Sequence, residues 1–71
     1  MDEKTLRLIK LIEHWAKHND EHAERFKESA AEDEALGFNG AAKEMREAYL
    51  KAAEVSRHLR KALIEIQEKG G

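Results

Sequence analysis

The side chains best suited to coordination chemistry in this sequence are four histidines, His14, His18, His22 and His58. Three of them recur at every fourth position in the stretch HWAKHNDEHAERF, His14 to Phe26. On a helix that spacing sets neighbouring imidazoles on one face within chelating distance. His58 matches His18 in height once the chain doubles back, so His14, His18 and His58 with a water ligand form one candidate site. The run His14, His18 and His22 forms another, and Zn²⁺ or a Ni²⁺, Co²⁺ or Cu²⁺ ion suits either. Against this stands the plainer reading of solvated surface histidines, since Arg25 and Lys51 share their flank.

Catalytic constellations are missing. No Glu follows a histidine as His-Glu-x-x-His chemistry requires. The positions three before each histidine hold Leu11, Trp15, Asn19 and Val55 rather than the glutamates of a carboxylate-bridged centre. Ser29 and Ser56 have no evident base, and no glycine-rich loop is present to cradle a phosphate. The expectation is a protein that is not an enzyme.

Composition narrows the partners. The chain has 71 residues, no cysteine and no proline, so neither a disulfide nor a zinc-thiolate knot reinforces it. Charged residues make up 39% with a net charge of -2 and interleaved signs, leaving no basic stripe for nucleic acid. Apolar runs are too short to span a bilayer, and MDEKTL opens with acids rather than a signal-peptide profile. A soluble, cytoplasmic protein follows as an expectation, organised as one domain over residues 1–71. At this size a single chain struggles to bury enough apolar surface, and a partner is expected.

Two long helices would position these side chains. Leu8, Ile12, Trp15, Asn19, His22, Phe26 and Ser29 step by four and three, as do Ala42, Met45, Tyr49, Ala52, Ser56, Leu59, Leu63 and Ile66. The segment ALGFNG between them supplies Gly37 to end one helix in the left-handed conformation and Asn39 to cap the next. The fold class is therefore all-α, an antiparallel hairpin of helices spanning roughly residues 3–36 and 40–68. Placed at about 100° per residue, Ile9, Ala16, Ala23, Ala30, Tyr49, Ala53 and Ile64 gather on one side. His14, His18, Arg25, Glu44, Lys51 and His58 gather on the other. A hairpin with one oily side pairs with a second copy, giving a homodimeric four-helix bundle whose dimer face is Ile9, Ala16, Ala23, Ala53 and Ile64.

In such a hairpin, residues whose numbers add to about 75 lie at one height, which sets Asn19 opposite Ser56. Asn19, Ser56, His22 and Tyr49 form an expected polar layer that fixes register and pairing. Alternatively, Asn19, His22 and Tyr49 line a small ligand cavity between the helices.

The residues His14, Trp15, His18, Asn19, His22 and Ala23, followed by ALG and a second alanine-rich helix ending in LRKAL, resemble a family of small prokaryotic helical domains of unknown function. The resemblance runs from about Leu8 to Leu63. It implies an asparagine-like role for Ser56 and a family metal site, where there is one, on His14, His18 and His22. His58 falls outside the shared pattern, and no reaction is implied.

The functional expectation is a non-enzymatic hairpin that associates with itself as a binding or assembly module, with room for a further protein partner. The alternative is a transition-metal-binding protein using the histidine run.

Overall fold

The computed structural model describes Met1–Gly70, and Gly71, the last residue of the expected domain, lies outside the described residues. Two helices, α1 (Glu3–Ala35) and α2 (Asn39–Gly70), pack against each other as a hairpin. Asp2 starts α1: its Oδ1 accepts from the Thr5 amide at 2.7 Å while its carbonyl takes the first helical bond from Leu6. A carboxylate there satisfies an otherwise unpaired amide and faces the positive end of the helix dipole.

The turn is a Schellman closure. Phe38 donates its amide to the Asp33 carbonyl at 2.8 Å, and Gly37 donates to Glu34 at 3.0 Å. Gly37 sits at φ +88°, a conformation that costs a residue with a Cβ. Asn39 does not cap α2. It is the first helical residue, and the Phe38 carbonyl takes the first bond, from Ala42 at 2.9 Å. The Schellman turn needs only two residues beyond the Leu36 cap, so α2 begins one position earlier than a capping asparagine would allow.

Between the helices, α1 buries Ile9, Ile12, Ala16, Ala23 and Ala30, and α2 buries Ala42, Ala52 and Ser56. The seam of α1 is thus rotated from the expected one: Leu8 and Trp15 are 44% and 47% exposed. Alanines on both helices explain the rotation, because small side chains let two backbones approach closely, whereas a Trp between only two rods would hold them apart.

The result is thin. Among the described residues no large side chain is fully buried. The molecule measures 53 × 14 × 10 Å, with a radius of gyration of 16.1 Å, against about 11 Å for a compact chain of this length. Its accessible surface is 5503 Å², where a compact monomer of its mass exposes about 4,500 Å².

Candidate functional site

Four features sit around this rod. The first is its one buried polar contact. Asn19, half-buried on α1, donates through Nδ2 to the Ser56 Oγ at 2.8 Å and to the Ala52 carbonyl at 2.6 Å. Ser56, 3% exposed, sends its own hydroxyl toward the Ala16 carbonyl at 3.4 Å. No buried side-chain polar atom among the described residues lacks a partner. Of the residues assigned to a polar layer, Asn19 and Ser56 come together, and His22 and Tyr49 do not join them. His22 contacts His18 and Phe26 on one flank. Tyr49 lies under the Lys27 ammonium, which sits 5.6 Å from its ring centre.

The second feature is an ion-paired flank. Arg60 grips Asp20 with both terminal nitrogens, at 2.6 and 3.3 Å, and Arg46 reaches Glu34 at 2.9 Å. The Arg60 guanidinium beside Asp20, and after it the Ser56 hydroxyl, hold the Asp20 carboxyl below the ordinary carboxylate range, and Arg60 is raised in turn. The Ser56 hydroxyl has one proton to share between Asp20 and Ala16, so Arg60 is the partner that counts. A cleft of about 320 Å³ opens on this flank, floored by Ala23 and Ala53 and bordered by Asp20, Tyr49, Ser56 and Arg60. Of the three residues expected to line a cavity, it includes Tyr49 but neither Asn19 nor His22. These pairs went unread in the sequence, although the signal was there: Asp20 and Glu34 are fourteen residues apart, as are Arg46 and Arg60, a heptad recurrence of opposite charges beside the seam.

The third feature is the opposite flank. At about 100° per residue, Leu8 and Trp15 lie on the side of the α1 seam away from Asp20 and Glu34. Val55 lies on the side of the α2 seam away from Arg60. Leu8, Leu11, Trp15 and Val55 are all exposed, with Ala48 and Ala62 half-buried among them. The residues expected to form a dimer face divide into two groups. Ile9, Ala16 and Ala23 are buried between the chain's own helices, while Ala53 and Ile64 are exposed.

The fourth is the histidine row. His18 and His22 meet Nε2 to Nε2 at 3.0 Å, and the His14 ring stacks on His18 with centroids 5.9 Å apart. Glu21 Oε2 lies 3.9 Å from the other nitrogen of His18. His58 belongs to no cluster with them. Among the described residues no group of three or more His, Cys, Asp or Glu is arranged to hold a metal ion. Nor, among these residues, is any helix long and apolar enough to cross a membrane.

Fold and surface together define a two-helix antiparallel hairpin with ion pairs on one flank and exposed Leu8, Trp15 and Val55 on the other, while Leu6 and Ile64 are exposed on the ion-paired side. Over residues 8–66 the chain matches the family described as a domain of unknown function (DUF8180), and it belongs to that family. No curated protein and no solved structure matches it.

Proposed function

We propose that the chain is a non-enzymatic assembly module, in which two copies pair through the flank of Leu8, Leu11, Trp15 and Val55 to form a four-helix bundle. The observation that carries this reading is the surface. The chain exposes 5503 Å², about 1,000 Å² beyond a compact monomer of its mass, and a standard interface removes about 800 Å² from each partner.

Exposed apolar side chains on the same flank say where that excess belongs, and the occupant is a second copy. Leu8, Leu11 and Trp15 lie along the open-ended half of α1 with Val55 at the inner end of the stripe, and the same stripe on a second copy covers them. On the other flank, Asp20, Glu34, Arg46 and Arg60 are already paired within the chain and gain nothing from cover. Emission from Trp15, the one tryptophan, tests the reading. Its maximum shifts to the blue as concentration rises through the dimerisation range, and an emission that stays solvent-like at every concentration contradicts pairing through this flank.

A further inference from the structure

We propose that His18 and His22 form half of a divalent transition-metal site, a zinc site above all, which the same pair from a second copy completes. This rests on the self-association reading above and adds a ligand to it.

The pair has the geometry of two ligands on one ion. Its Nε2 atoms lie 3.0 Å apart, and two nitrogens each about 2.0–2.1 Å from a zinc ion at the tetrahedral angle are separated by about 3.3–3.4 Å, so an opening of a few tenths of an ångström seats the ion. The Glu21 carboxylate stands on the Nδ1 side of His18 at 3.9 Å. That is too long for a hydrogen bond, and Nε2 is the nitrogen of His18 that faces His22. One imidazole donating to the other also accounts for the contact, but it gives no reason for a further ligand to approach.

A single chain stops at two ligands. His14 lies against the face of His18, and among the described residues no cluster of three forms, with His58 or without it. Zinc ordinarily takes four ligands, so two further ligands must come from outside the chain. Symmetry supplies them. His18 and His22 lie close to the middle of α1, which runs from Glu3 to Ala35. His22 shares the apolar flank with Leu8 and Trp15, at heptad spacing, and His18 lies just beside it. A two-fold axis running along the α1 row of Leu8, Trp15 and His22 sets each of them near its own counterpart. In that arrangement the histidine pair meets its twin, bringing four imidazoles together.

The test uses the full chain at pH 7.5, with sedimentation equilibrium and bound-metal analysis in chelator and in excess Zn²⁺. Expected are a dimer in chelator, one zinc bound per two chains, and a dimer Kd at least tenfold tighter with zinc. In a His18→Gln/His22→Gln double variant, shown by circular dichroism to remain helical, the dimer persists in chelator and zinc has no effect. His58→Gln behaves as the parent chain. Absence of bound zinc, one zinc per chain with an unchanged Kd, or a zinc effect surviving in the double variant overturns the shared site. A dimer in chelator that ignores zinc sinks the metal site alone, whereas a chain monomeric in both conditions sinks the self-association reading and the metal site with it.

Discussion

Asn19 and Ser56 stand across the hairpin with Nδ2 and Oγ 2.8 Å apart, and the same amide reaches the Ala52 carbonyl at 2.6 Å. Side chains this short span two helices only where alanines let the backbones come close. Ala16 and Ala52 are both buried beside the pair. The contact therefore reports the packing distance as well as the register. Replacing Asn19 by Ala removes two hydrogen bonds and leaves the Ser56 hydroxyl without its donor, which costs about 1–3 kcal/mol. Thermal melts at one fixed chain concentration measure this as a fall of several degrees in Tm. A double-mutant cycle with Ser56→Ala gives a clearly non-zero coupling, and an additive cycle contradicts the pairing.

Asp20 and Arg60 set the acid side of the stability profile. The folded carboxyl titrates below its unfolded value, so its contribution is fully present above the unfolded pKa and is lost as pH falls through the lowered folded value. Both partners are exposed, which keeps the effect small. Melts of Asp20→Asn and the parent chain between neutral pH and pH 2 converge at the acid end and differ most at neutral pH. Parallel curves across the range contradict the assignment.

The two glycines of the turn region respond oppositely to one methyl group. Gly37 has open space around a built Cβ but φ +88°, so Gly37→Ala is destabilising through the backbone alone, by about 1 kcal/mol. Gly40 is helical and equally unobstructed, and Gly40→Ala stabilises by up to about 1 kcal/mol. Chemical denaturation of both variants reads the signs directly.

Substitutions on the two sides of the rod separate the apolar flank from incidental exposed hydrophobics. Trp15→Glu and Val55→Lys place charge where the second copy is proposed to sit, and each weakens self-association by at least tenfold while leaving helix content unchanged. Leu50→Glu, at a residue 56% exposed on the far side of α2, leaves association as it was. Equal effects from all three variants contradict the assignment of the face.

Much of the architecture was legible because it rests on spacing. Heptad recurrence gave two helices, Gly37 gave the turn, and counting across an antiparallel hairpin set Asn19 against Ser56. Rotation about each helix axis was harder to read. Three heptad rows of α1 compete for the seam: Leu8, Trp15, His22 and Ser29; Ile12, Asn19 and Phe26; and Ile9, Ala16, Ala23 and Ala30. Side-chain bulk favours the row with Trp15, but only the small row lets a two-helix core close, so Trp15 is left on the outside. Leu8 and Trp15 consequently lie exposed on the flank expected to be polar, while Ile64 is exposed on the expected oily side. Heptad position and height together set His22 and Tyr49 in one layer. Height carries no information about which side of the seam a residue takes, and they lie apart.

Sedimentation equilibrium of the full chain in chelator, at micromolar to high-micromolar concentration, tests the central claim most directly. Pairing through the apolar flank predicts a mass rising to twice the 8.2 kDa of one chain, with Trp15→Glu shifting the transition to higher concentration. A mass that stays at 8.2 kDa throughout contradicts it.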